Sequence, residues 1–151
     1  MFIARLICIF CLALVLLCMV VSQTPQSTRH SLHELYESTG GNNWNYTTLV
    51  DCSGEIAKAW NFTTDAKGEY LVDPCSEETQ FIGLACTDNS TITGINLACG
   101  NLTGTIPEFT TLTQLQGLVL SHNQLSGTIP EFTNLTQLFE LDLSQNQLTG
   151  T

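Results

Sequence analysis

The sequence predicts an α/β fold: a right-handed solenoid of short parallel strands joined by extended or 3-10 return segments, closed at its N-terminal side by a small helical, disulfide-bonded domain. Three observations predict it. A framework of leucines recurs with a period of 23 residues through the C-terminal half. Upstream, a helix-start pattern is followed by a glycine pair. Four cysteines remain once the apolar N-terminal stretch is set aside, an even number that suits disulfides in an oxidising compartment.

The first 22 residues are apolar except for Arg5 and Ser22. The unbroken run from Leu6 to Val21 is 16 residues long, about 24 Å as a helix and short of the roughly 30 Å hydrocarbon core. With Arg5 before it and Val20-Val21-Ser22 after it, this reads as a signal peptide over 1–22, cleaved before Gln23. An uncleaved N-terminal anchor is the alternative. Five N-glycosylation sequons point to the same compartment: they begin at Asn45, Asn61, Asn89, Asn101 and Asn134. The mature chain is expected to be secreted or displayed at the cell surface.

Residues 23–91 are expected to form the closing domain. Ser31-Leu-His-Glu34 is a capping-box pattern and predicts a helix start. Leu32, Leu35 and Tyr36 then share one apolar face, and Gly40-Gly41 ends the helix. Trp44 and Trp60 are expected to fill the small core beneath it.

The repeat occupies 92–151, as 92–114, 115–137 and an incomplete 138–151. Ile92 aligns with Leu115 and Leu138, Ile95 with Leu118 and Leu141, and Leu97 with Leu120 and Leu143. Alternation of Leu118 and Leu120 is a two-residue period, hence a short strand with one face buried. Asn123 turns the chain, its amide satisfying backbone groups that no strand can pair. Leu125 points back inward, Gly127 permits a bend, and Ile129-Pro130 begins an extended return that Phe132 and Leu135 anchor. One such coil cannot bury its own leucines, so neighbours must cover both sides.

The segments Asn101-Leu-Thr-Gly-Thr-Ile-Pro107 and Leu118-Val-Leu-Ser-His-Asn-Gln-Leu-Ser-Gly-Thr-Ile-Pro130 resemble the plant-type leucine-rich repeat. Leu35-Tyr-Glu-Ser-Thr-Gly-Gly-Asn-Asn-Trp44, Asp73-Pro-Cys75 and Phe81-Ile-Gly-Leu-Ala-Cys86 resemble its N-terminal cap. The likeness spans 32–151. Three features depart from it: Gly100 stands where the first ladder Asn is expected, an insertion carrying Cys52 lies between Trp44 and Cys75, and the third repeat stops mid-coil at Thr151. The resemblance favours a Cys75–Cys86 disulfide, which in the chain-entropy model is worth roughly 3 kcal/mol. Cys52–Cys99 then follows by exclusion, with the other connectivities open. Relatives of this kind are receptor ectodomains and secreted inhibitors or adhesion proteins. The resemblance thus implies an extracellular binding module, with any membrane-spanning segment beyond Thr151. The exposed last coil is expected to leave an isolated chain marginal or self-associating.

Charge excludes other functions. Beyond Arg5, three basic residues (Arg29, Lys58 and Lys67) face fourteen acids, and from residue 68 onward there is no Lys or Arg. Such a surface cannot displace counterions from a phosphate backbone, so no nucleic-acid partner is expected. No phosphate loop, metal cluster or catalytic triad is present, and neither enzyme activity, cofactor nor metal is expected. Ser121-His122 are neighbours that a strand would point to opposite faces. Glu140 and Asp142 share a face about 7 Å apart, but an open sheet gives them no water-excluding pocket, so they read as solvated acids. His30 and His33 read as solvated helix-start residues. What the strands offer is a row of outward positions: Gly94, Gly117 and Glu140; Asn96, Val119 and Asp142; Ala98, Ser121 and Ser144; Cys99, His122 and Gln145. From these, Asn96, Val119, Ser121, His122, Glu140, Asp142 and Gln145 are the candidate contacts for a protein, peptide or glycan ligand. A glycosylated matrix component without a discrete ligand is the alternative, in which the same positions are tolerated surface.

Overall fold

The structure is a computed structural model and describes residues 23–46, 59–76 and 78–150. The apolar N-terminal run and Cys52 lie outside the described residues. Among those described, no helix is long and apolar enough to cross a membrane.

Helix α1 spans Gln26–Ser38. It begins earlier than the capping-box pattern suggests: Pro25 occupies the N-cap position, with φ −55° and ψ 145°. Proline has no N–H to leave unsatisfied there and a fixed φ suited to a helix start. Ser31 therefore sits inside the helix, where its hydroxyl meets Thr111 Oγ1 at 2.8 Å. His30 and His33 are also interior to α1, and the His33 ring packs against Phe62 at a centroid distance of 4.7 Å. The end falls where expected, with Gly40 in the left-handed conformation at φ 69°. A single 3-10 turn, Gly41–Asn43, follows.

The apolar face of α1 buries Leu32 and Leu35 completely. An aromatic cluster continues from it. Trp44 meets Trp60 edge-on at 5.0 Å, and Trp60 stacks on Phe81 at 5.5 Å. Both indoles hydrogen-bond as burial requires: Trp44 Nε1 donates to Thr39 O and Trp60 Nε1 to Ile82 O.

Among the described residues seven short strands follow: β1 (Leu84–Thr87), β2 (Thr91–Asn96), β3 (Thr103–Thr105), β4 (Gly117–Val119), β5 (Gln124–Thr128), β6 (Glu140–Asp142) and β7 (Gln147–Thr149). They form two sheets, ordered β1-β2-β4-β6 and β3-β5-β7. In the first, β1 is antiparallel to β2, and the other pairs are parallel. Gly94 pairs with Gly117 and Gly117 with Glu140, partners 23 residues apart. In the second sheet Thr103 pairs with Gln124 and Ser126 with Gln147, so its register is sheared by two residues relative to the repeat. This second sheet lies just before the expected extended return, over residues that the sequence reads only as a turn at Asn123, an inward Leu125 and a bend at Gly127. The return itself is irregular, with turns at 113–114, 133–134 and 136–137, and forms no 3-10 helix among the described residues.

The core lies between the sheets and the return segments. Leu97, Leu102, Leu115, Leu118, Leu120 and Leu125 are fully buried, each worth about 1.5–3 kcal/mol. In the third segment, which has a described neighbour on one side, Leu141 is 47% exposed. Asn123 acts as the sequence suggests. Its Nδ2 donates to Leu97 O, Leu120 O and Ser121 O, and its Oδ1 accepts from Leu102 N. Asn146 repeats the pattern one segment on, with Leu120 O, Leu143 O, Ser144 O and Leu125 N.

Cys75 and Cys86 form a disulfide. Cys99 is also disulfide-bonded, to a partner outside the described residues. Beside the first bridge lies an ion pair that sequence reasoning missed. Arg29 is buried and meets Asp73 at 3.0 Å. Asp73 also accepts from Thr24 N, Thr24 Oγ1 and Cys75 N, while Arg29 donates to Thr24 O and Tyr70 O. The hub ties α1, the chain entering it and the disulfide segment together. The Asp-Pro-Cys turn was a visible signal for it, because an Asp side chain there reaches the N–H two residues on.

Candidate functional site

The outward face of the β1-β2-β4-β6 sheet carries the candidate site. Pairing registers confirm two of its columns, Gly94–Gly117–Glu140 and Asn96–Val119–Asp142. Inward neighbours Ile95, Leu118 and Leu141 stay apolar in every strand, as period-two alternation demands. Missing side chains at Gly94 and Gly117 leave a shallow groove of about 350 Å³, lined also by Gly83, Leu84, Ala85, Asn96, Val119 and Glu140.

Close approach sets this floor at Gly94, while a side chain at Gly117 would meet only an ordinary contact. A Cβ on Gly94 would come within 3.1 Å of the Ala85 side chain on β1, and one on Gly117 within 3.4 Å of Glu140 Oε2. The carboxylate of Glu140 thus reaches along the column toward the glycine floor. Asp142 stands in the next column. Ser144, through its hydroxyl and its N–H, and the Ser121 hydroxyl hold the Asp142 carboxyl below the usual carboxylate range. Ser144 N donates to Asp142 Oδ1 at 3.0 Å.

Not every predicted site residue lies on this face. Ser121 is 4% exposed, so it supports Asp142 and is not a surface contact. His122 and Gln145 are exposed, but in turns beyond the strands, with φ 57° and 55°. Cys99 occupies the equivalent position with φ 60°. Left-handed backbone at three non-glycine residues takes them out of the outward columns. Asn96 and Val119 are half-buried in β2 and β4 as expected, and Asn96 Oδ1 accepts from Ala98 N at 3.2 Å. Phe139, just before β6, is 79% exposed and was passed over. Its column, Thr93–Gln116–Phe139, gave no apolar signal until the third segment.

The five sequon asparagines are all exposed, and none lines the groove. Asn101 has its amide engaged with Asn43 O and Gln124 Nε2. No cluster of three or more metal-binding side chains occurs among the described residues.

Residues 90–148 match the leucine rich repeat family model. The chain matches no curated protein. Among solved structures it is similar to the BIR2 ectodomain from Arabidopsis thaliana, with 27% identity and a TM-score of 0.57, over 84% of this chain and 58% of that one. It is also similar to a chain of the BIR3–SERK2 complex from Arabidopsis thaliana, with 30% identity and a TM-score of 0.53, over 78% of this chain and 55% of that one. The chain therefore spans less than two thirds of these solved chains. The parallel ladders, the asparagine rungs and these likenesses together give it an α/β leucine-rich repeat fold, with the repeats matched over 90–148.

Proposed function

We propose that this chain is the ligand-recognition part of an extracellular or cell-surface leucine-rich repeat protein, with the outward face of β2, β4 and β6 as its contact surface for a protein or peptide. One observation carries the reading: the inward column Ile95–Leu118–Leu141 keeps its chemistry from strand to strand, while Gly94–Gly117–Glu140 and Asn96–Val119–Asp142 change theirs. A face needed only for packing or solubility has no reason to alternate glycine floor, apolar centre and acid wall within one groove. The BIR3–SERK2 complex, a solved assembly one of whose chains is similar to this one, supports a protein or peptide partner. In the same reading, residues 1–22 are a signal peptide, 23–91 cap a right-handed plant-type solenoid, and Cys52 pairs with Cys99. Asn45, Asn61, Asn89, Asn101 and Asn134 carry glycans outside the groove. The module works by binding and catalyses no reaction.

A photoreactive phenylalanine analogue at Val119 of the secreted chain tests this against an extracellular protein extract. A discrete adduct is expected from Val119 and none from the same probe at Thr128 in β5. Adducts at Thr128 with none at Val119 would move the contact surface to the other sheet and overturn the proposal.

A further inference from the structure

We infer that the groove on β2, β4 and β6 takes an extended peptide segment bearing a basic side chain, whose cation lies between Glu140 and Asp142 while its backbone crosses the Gly94–Gly117 floor. The inference rests on the proposed binding face and adds the chemistry of its occupant.

Three features of the face select that occupant. First, the floor lacks side chains over two adjacent strands, Gly94 and Gly117, which span about 4.8 Å. Such a floor lets another backbone approach closely, as glycine does elsewhere. The groove, about 350 Å³, lies at the small end of ligand sites and admits a short extended segment rather than a folded domain edge. Second, the wall is anionic. Glu140 Oε2 already extends over the floor. Ser144 N donates to Asp142 Oδ1 at 3.0 Å, which orients the carboxylate. Third, this part of the chain carries little countercharge for the wall. Residues 68–151 contain no Lys or Arg. His122 is the only imidazole in the repeat segments, and it sits in the turn after β4. His122 interacts favourably with Asp142, and a permanent countercharge is left to the partner. Val119, between the floor and Asp142 in column order, offers the apolar contact that the aliphatic stem of Lys or Arg uses when its head is charged.

Pools of acetylated, amidated hexapeptides test the inference, each pool fixing one central residue as Arg, Lys, norleucine or Glu. Affinity for the full disulfide-bonded chain is read by fluorescence anisotropy at low salt. The Arg and Lys pools are expected to bind more tightly than the norleucine pool, and the Glu pool least. Raising ionic strength tenfold is expected to erase most of the difference, because exposed pairs are screened beyond about a Debye length. The double variant Glu140→Gln, Asp142→Asn should weaken the basic pools by roughly tenfold, two exposed charge contacts together, and leave the norleucine pool unchanged. Gly117→Leu fills the floor and should weaken every pool with both acids intact.

The outcomes separate two failures. Equal binding of basic and norleucine pools, still abolished by Gly117→Leu, overturns the basic-segment inference and keeps the binding face. Binding that ignores both sets of substitutions overturns the face as well. Urea denaturation of each variant guards against misfolding, and Val119→Arg supplies a second probe at a position without a carboxylate. It is expected to repel the basic pools, and unchanged binding to it would contradict the inference.

Discussion

Replacing Asn123 by Ala removes the rung that joins the first two repeat segments. Four hydrogen bonds are lost, but their consequences differ. Leu120 O keeps a donor in Asn146 Nδ2 at 2.8 Å, and Ser121 O keeps Cys99 N at 3.1 Å. The Leu102 N–H, on a fully buried residue, loses its acceptor, and Leu97 O loses the Asn123 amide. Each buried group left unsatisfied costs about 1–3 kcal/mol, so the substitution should cost about 3–4 kcal/mol out of the roughly 5–15 available to a small domain. At about 3–6 °C per kcal/mol for a chain of this size, the midpoint should fall by about 10–20 °C. Asn146→Ala removes a similar rung from a half-exposed site where water can replace the amide. It should cost about 1–2 kcal/mol. Asn123→Asp keeps the bond from Leu102 N but sets a carboxylate oxygen against carbonyls, and should be no milder than Ala. Urea unfolding of the full chain, followed by circular dichroism and by Trp44 and Trp60 fluorescence, measures all three. A cost for Asn123→Ala within about 0.5 kcal/mol of zero, or one no larger than for Asn146→Ala, would refute the rung's role.

Other consequences follow from the same structure. Arg29→Met leaves the partly buried Asp73 with only its remaining partners and should cost about 3 kcal/mol by chemical denaturation, the low end for a buried pair; a loss below 1 kcal/mol would show the pair to be dispensable. Removing the Cys75–Cys86 bridge, whose residues are 11 apart, as the double Ala variant should cost about 3 kcal/mol in the chain-entropy model, read as a shift in urea midpoint under oxidising conditions. Gly104→Ala should destabilise severely, because its φ is +78° and the new Cβ would strike Ser38 O, whereas Gly68→Ala at φ +83° meets open space. Thermal midpoints should rank wild type above Gly68→Ala above Gly104→Ala. Carboxyl-carbon NMR should find Asp142 titrating below the ordinary carboxylate range because Ser144 and Ser121 hydrogen-bond its ionised form. The lowered value means that the charge persists above the folded-state midpoint and is lost only as pH falls through it. Ser144→Ala should move that midpoint upward.

Much of this fold was legible in the sequence because two periods coincide there. Leucines two apart fix the buried face of each strand, and the 23-residue recurrence fixes which leucines stack. The helix start was misread because Ser31 and Glu34 satisfy the local rule, while Thr24-Pro25 offers a stronger stop on the preceding chain. The β3-β5-β7 sheet was not legible at all. Thr103-Gly-Thr105 and Ser126-Gly-Thr128 have no apolar alternation, and their pairing arises only when adjacent segments stack. At the site, the glycine and acid columns followed from strand parity. Left-handed backbone at His122 and Gln145 and the burial of Ser121 did not, since non-glycine residues carry no local mark of positive φ.

The most direct test of the binding face is amide NMR mapping of the full chain with the Arg-bearing peptide pool. Perturbations centred on Gly94, Asn96, Gly117, Val119, Glu140 and Asp142, weakened at the same peptide concentration in the Glu140→Gln, Asp142→Asn variant, are the expected result. Perturbations gathered on β3, β5 and β7, or around Trp60 and Phe62, with those six amides unmoved, would contradict it.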